Sequence, residues 1–163
     1  MDLVNLKTQA KLKRKENSRF FKRLKNINSK KLDNSIHTLH NKEFACIDCL
    51  ECANCCTTTG PLFTDKDIAR ISKHLKIKPS VFTQKYLKID EDYDYVLKSV
   101  PCTFLLDDNS CSIYDVRPKA CREYPHTDRV KQHQLLNITQ KNVEICPAVY
   151  NIIEALKRDL NLR

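Results

Sequence analysis

Cys46-Ile47-Asp48-Cys49-Leu50-Glu51-Cys52-Ala53-Asn54-Cys55-Cys56 places five thiols within eleven residues, at steps of three, three, three and one. Four more cysteines follow, at Cys102, Cys111, Cys121 and Cys146. Core packing does not call for thiols at that density, whereas metal ligation does. Two cysteines separated by two residues clasp one ion because the turn between them aims both sulfurs inward. Cys46/Cys49, Cys49/Cys52 and Cys52/Cys55 all have that spacing, so they cannot all be independent clasps. The adjacent pair Cys55–Cys56 adds a constraint. Neighbouring side chains diverge in helix and strand alike, so the expectation is one thiolate for each of two metals. Eight thiolates make two four-coordinate sites, and nine would also serve three ions that share three bridging sulfurs. Zinc and iron both suit such soft ligands. Cys46-x2-Cys49-x2-Cys52 with the distant Cys146-Pro147 has the look of cubane iron–sulfur ligation. Spacing leaves the choice of metal open. The bland alternative, a set of buried small hydrophobes, does not account for the run 49–56. It carries more weight for each distant cysteine taken singly, although all four sit at turn or element boundaries.

Outward from that run, 163 residues bound the chain to one domain with an appended segment. No apolar run is long enough to span a bilayer, and the first residues lack a signal peptide's apolar region. A cytoplasmic location without membrane attachment is expected. In a reducing compartment nine cysteines are not a disulfide framework, and the sequon Asn137-Ile138-Thr139 is a chance match. The net charge of +9 is unevenly placed: residues 1–42 carry 12 Lys and Arg against Asp2, Glu16 and Asp33, and the remainder balances 17 of each sign. The expected organisation is a basic helical arm over 1–32 and a cysteine-cluster domain over 33–163.

In the arm, Leu3, Leu6, Ala10, Phe20, Leu24 and Ile27 share a helical face interrupted at Lys13 and Asn17, which predicts a long, partly frayed helix. Its charge fits a polyanion such as nucleic acid, or a protein partner. No aromatic platform or groove motif accompanies the charge, so a solvated helix docked on the domain ranks first. Asp33 is expected to cap a helix that turns Ile36, Leu39 and Phe44 inward, with His37 and His40 as surface residues rather than ligands. Thr64 caps a helix bearing Asp65 and Asp67 in its first turn and a core face of Ile68, Ile71 and Leu75. Lys78-Pro79-Ser80 breaks it. A second helix over about 80–87 is expected to bury Val81, Phe82 and Tyr86. Asp90-Glu91-Asp92 is a turn before a strand within 93–99. Two short apolar runs around Asp107-Asp108-Asn109-Ser110 predict a β-hairpin carrying Cys102 and Cys111. Asp115 is expected to start the helical turn that delivers Cys121, and Cys146-Pro147 leads into a terminal helix with a stripe of Val149, Ile152, Ile153, Leu156 and Leu160. The fold class is α+β, mainly helical: a small, irregular, metal-organised domain with a short β-hairpin. Arg117 and Arg122 flank Cys121 and would offset thiolate charge, or alternatively anchor an anionic substrate. His126 is an alternative ligand. No Ser/His/Asp or Cys/His catalytic arrangement is visible.

Cys49-x2-Cys52-x2-Cys55-Cys56, Cys102-x-Phe104-Leu105, Cys111-Ser112-Ile113-Tyr114-Asp115-x-Arg117-Pro118-x2-Cys121-Arg122-x-Tyr124-Pro125 and Cys146-Pro147 together resemble the bacterial YkgJ-type cysteine-cluster family of zinc- or iron-chelating domains. The likeness covers about residues 44–150 and includes Asp67-Ile68-Ala69-Arg70-Ile71. It implies a ligand set of Cys49, Cys52, Cys55, Cys56, Cys102, Cys111, Cys121 and Cys146 holding two or more zinc or iron ions, with an iron–sulfur cluster as the other form of the iron. Cys46 falls outside that set. The resemblance also brings two alternatives, an iron–sulfur oxidoreductase or a group-transfer enzyme. A third reading, a nucleic-acid or partner-binding module working through the basic arm, comes from the charge alone.

Overall fold

The computed structural model describes residues 3–160; Met1 and Asp2 of the expected arm and the last three residues lie outside the described residues. The chain forms two compact units, one made of the residues up to Asp48 together with those from Pro125 onward, the other of Cys49–Tyr124. The class is α+β and mainly helical, with one small antiparallel sheet.

The first unit is helical. α1 (Leu3–Leu12) and α2 (Arg14–Leu24) take the place of the single frayed helix, with the break at Lys13. They bury Leu6, Ala10, Phe20, Phe21 and Leu24 in one core with Leu32, Ile36 and Leu39 of α3 (Ser29–Phe44). That core continues into α9 (Gln132–Asn142) and α10 (Pro147–Asp159), where Val149, Ile152, Ile153 and Leu156 form the expected stripe. Lys157 of α10 is also buried, and its ammonium bonds Glu16 and Glu154 at 2.6 Å each, while Lys13 pairs with Glu154. A buried ammonium is tolerated only with such partners, so Lys13 and Glu16 tie the basic helices to α10.

Two helix starts differ from the sequence reading. Asn28, not Asp33, caps α3, by accepting from the Lys31 N–H at 3.1 Å. Asp33 faces the other way along the chain, and its two oxygens accept from the Lys131 and Gln132 N–H groups at 2.8 Å, at the first turn of α9. Lys131 itself stands in the left-handed region at φ 61°. A cap supplied from nearly a hundred residues away leaves no local signature, which is why α9 has no counterpart in the sequence reading.

In the second unit, α4 (Cys49–Cys52) and α5 (Asn54–Thr58) are single turns separated by Ala53, which is left-handed at φ 43°. β1 (Leu62–Phe63) precedes α6 (Asp65–His74), whose start is a full capping box between Thr64 and Asp67. α7 (Pro79–Tyr86) buries Phe82 but leaves Val81 exposed, contrary to expectation, because neighbouring positions of a helix are turned about 100° from each other and Phe82 takes the core-facing side. β2 (Leu87–Ile89) and β3 (Tyr95–Leu97) form a hairpin closed by Asp90, whose carboxylate accepts the N–H groups of Asp92 and Asp94. The sheet order is β1-β3-β2. The hairpin expected around Asp107–Ser110 is reduced to one bridge, Leu105↔Cys111, across a tight turn. Each arm offers one buried residue to the core, Phe104 and Ile113, with Cys102 and Cys111 packed against it. Six non-glycine residues of the described chain have positive φ: Ala53, Lys76, Tyr93, Asn109, His126 and Lys131.

The Asp33 cap has a measurable consequence. Asp33→Ala is expected to lower unfolding stability by about 1–2 kcal/mol, with Asp33→Asn closer to wild type, in chemical denaturation of the full chain.

Candidate metal centre

All nine cysteines are thiols, and seven of them belong to the Cys49–Tyr124 unit. Cys49 and Cys52 end the single turn of α4, and Cys55 and Cys56 lie on α5. The left-handed Ala53 redirects the backbone between these pairs, so the run is two short turns rather than one continuous helix. The Cys102 N–H donates to the Cys56 carbonyl at 2.8 Å, which pins the Cys102 segment beside α5. Cys102 and Cys111 pack on the unit's apolar core of Phe63, Ile68, Ile71, Phe82, Leu87, Leu97, Phe104 and Ile113.

Cys121 is delivered by a brace that the sequence reading did not identify. Asp67 is buried, and one of its oxygens accepts from the Thr64 hydroxyl at 2.7 Å and the Thr64 N–H at 3.0 Å. The other accepts from the Arg70 guanidinium at 2.5 Å and the Lys119 N–H at 3.1 Å, in the first turn of α8 (Lys119–Glu123). Arg70 also donates to the Val116 and Arg117 carbonyls. Asp115, expected to start this turn, lies in a 3-10 turn, Tyr114–Val116, and Pro118 precedes α8. The interior anion replaces a local cap because it meets both the preceding carbonyls, through Arg70, and the Lys119 N–H.

Electrostatics show which sulfurs stand together. Burial pushes the Cys121 thiol up to about 12, reinforced by Cys102, Cys56 and Cys111 and opposed by Arg117. Burial also raises Cys102, against the Phe104 and Leu105 N–H groups that favour its thiolate, with Cys56 and Cys111 adding to the rise. Cys111 follows the same pattern: burial raises it, the Ile113 N–H and Arg117 oppose, and Cys56 adds to the rise. Cys56 is the exception, held down to about 7 by a hydrogen bond from the Cys55 thiol, with burial working against it. Adjacent side chains usually diverge, yet on α5 these two sulfurs meet. Cys56, Cys102, Cys111 and Cys121 therefore form one mutually interacting group. Arg117 is held by its bond to the Tyr114 carbonyl, 2.7 Å, and its stacking 3.8 Å from the Tyr114 ring centre.

Among the described residues, no three Cys, His, Asp or Glu side chains stand as a ready-made metal-holding group. The chemistry of the donors nevertheless fits a soft cation. Cys102, Cys111 and Cys121 resist ionisation chiefly through desolvation, with the charge of neighbouring sulfurs adding to it, and a dication would offset both effects. Backbone N–H groups aimed at sulfur and a nearby guanidinium are the support that thiolate ligands need. Cys46 is exposed just beyond α3, and Cys146 precedes α10, half-buried against the first unit's core. His37 bonds the Arg129 carbonyl, and His40 bonds the Thr127 hydroxyl while stacking on Phe44, so both serve a loop contact in the first unit.

A soft, sulfur-rich donor set of this kind defines a class of metal-chelating domains. The chain belongs to the CxxCxxCC family, described as "Putative zinc- or iron-chelating domain", whose model matches residues 48–147. It is similar to the uncharacterized protein MJ0661 of Methanocaldococcus jannaschii, 36% identical over 90 residues. That alignment covers 53% of this chain and 48% of the relative, so the chain spans about half of that protein's length. No solved structure matches it. No helix among the described residues is long and apolar enough to cross a membrane.

Two measurements check this arrangement. In reduced, metal-free protein, alkylation of Cys56 should proceed fastest, with a pH midpoint of about 7, and Cys121 should resist until about pH 12, read by peptide mass spectrometry. Asp67→Ala should cost about 2–3 kcal/mol of stability, seen in denaturant midpoints. Burial raises the Asp67 pKa, but its bonds from Thr64, Arg70 and Lys119 bring it below the ordinary 3.8. Its stabilisation is thus present at neutral pH and lost as pH falls through that lower value.

Proposed function

We propose that the chain binds zinc or iron through thiolates, with Cys56, Cys102, Cys111 and Cys121 forming one four-sulfur site. The observation that carries this reading is the mutual influence of those four sulfurs, which come from four separate segments, two of them packed on the unit's apolar core. Four thiolates around one dication match the usual coordination of both metals. Cys49, Cys52 and Cys55 supply three more sulfurs in the same unit, and we extend the proposal to a second ion held by them. The Cys55–Cys56 contact is where the two sets adjoin. Cys146, the eighth member of the set implied by the family, belongs to the first unit and packs on its core. A thiolate protein that loads these metals fits a reducing compartment, and we place it in the cytoplasm.

The residues that hold the ions also set their pH response. Loading displaces thiol protons, so apparent affinity rises with pH, most steeply where Cys121 and Cys102 remain protonated. Metal content and absorption of protein purified without oxygen test the proposal. About two ions per chain are expected, colourless for zinc and with visible thiolate-to-metal bands for iron. Cys111→Ser and Cys121→Ser should each lose about one ion, while Cys49→Ser should keep the four-sulfur site occupied. Cys46→Ser should change nothing. Less than one ion per chain would overturn the reading.

A further inference from the structure

A groove of about 650 Å³ in the first unit is lined by residues that the metal chemistry does not use. One wall is α2, through Arg14 and Asn17, and the other is the α9 end, through Asn137, Gln140, Lys141 and Glu144. Asn17 is 5% exposed, and its Oδ1 has no hydrogen-bond partner among the described residues. A buried carboxamide left with an open acceptor costs free energy that a ligand's donor would recover. Arg14 and Lys141 are exposed cations at this groove. Arg14 also begins a row along α2, with Ser18, Lys22 and Lys25 following at steps of four, four and three, which keeps them on one helical side. Lys22 and Lys25 are exposed, so the row continues the positive charge beyond the groove.

We propose that this groove binds single-stranded nucleic acid, taking a base against its amides and carrying the adjoining phosphates on the basic side of α2. Three carboxamides and one carboxylate present the mixture of donors and acceptors that a base edge requires. Asn and Gln suit adenine, and Glu suits the amino group of cytosine. A bare phosphate would be repelled by Glu144, and an apolar ligand would leave the amides unpaired. The charge supplies affinity without sequence preference, and the amides supply the preference. A duplex keeps its base edges paired, so the groove selects single strands.

The test uses the full, metal-loaded chain and fluorescein-labelled 12-nucleotide single strands of RNA and DNA, followed by anisotropy at about 50 and 200 mM salt. Binding should weaken as salt rises, with a slope of about −0.7 per neutralised phosphate. Arg14→Ala and Lys141→Ala should weaken all sequences alike and lower the slope by about 0.7 each. Asn137→Ala and Gln140→Ala should leave the slope alone and change the ranking among oligo-A, oligo-C and oligo-U. Arg14, Asn137 and Lys141 are exposed and Gln140 is half-buried, and an unchanged helical circular-dichroism spectrum and thermal midpoint show that each variant is folded. The proposal is overturned by absence of binding at the lower salt, by a duplex of the same length binding as tightly, by an oligoglutamate peptide competing as well as the oligonucleotide, or by variants that bind like wild type.

Discussion

A carboxylate removed from water must recover several kcal/mol of lost hydration from its neighbours, and Asp67 does so with four donors at once. The donors are not interchangeable. Two come from the start of its own helix, one from the next turn, and one from the amide that opens α8. Satisfying the charge therefore imposes a position on a segment fifty residues later in the chain. Arg70 completes the arrangement by reaching the carbonyls just before that amide, so both ends of the Val116–Lys119 peptide run are held from α6. Everything that Cys121 contributes depends on this one solvation requirement.

The Cys49–Tyr124 unit needs such polar fastening because its apolar core is small. Eight buried hydrophobes serve about half of the chain, and the rings of Phe63, Phe82, Tyr86 and Phe104 pack against one another among them. A unit of this size is marginal on hydrophobic burial alone. The first unit solves its own stability differently, with fifteen buried residues spread over five helices and a lysine enclosed by two glutamates. The contrast explains why the thiols that interact with one another belong to the unit with fewer apolar residues: a metal's binding energy is also folding energy for its host.

Local chemistry was legible in the residues, and chemistry at a distance was not. Thr64 announces α6, Pro79 announces α7, and the stripe from Val149 to Leu156 announces α10, because each signal is contained within a few residues. Asp33 looks like a cap because it is an aspartate before an apolar periodicity; its partners lie at Lys131 and Gln132, which no local rule reveals. Gln132–Asn142 has no counterpart in the sequence reading for the same reason, since its start is stabilised by a side chain from another helix. Val81 misled because a helix of eight residues has only one buried face, and Phe82 claims it. The density of cysteines identified the metal chemistry. Which sulfurs influence one another was not readable, because the Cys102 segment is set by its N–H bond to the Cys56 carbonyl and Cys121 by the Asp67 brace, not by their spacing.

The rarity of glycine gives the chain an unusual entropic profile. With one glycine in 163 residues, the unfolded ensemble has few of the hinges that widen its conformational range. Six side-chain-bearing residues accept the left-handed backbone instead, each at a strain of roughly 1 kcal/mol. The strain raises the native state, and the stiffer unfolded chain, with less disorder to surrender, offsets only part of it. Turns that elsewhere rely on glycine are thus made here at a net cost, and Ala53 keeps its methyl buried in the middle of the cysteine run. The return is kinetic: a run of thiols on a backbone with restricted swing samples fewer wrong pairings while it waits for metal.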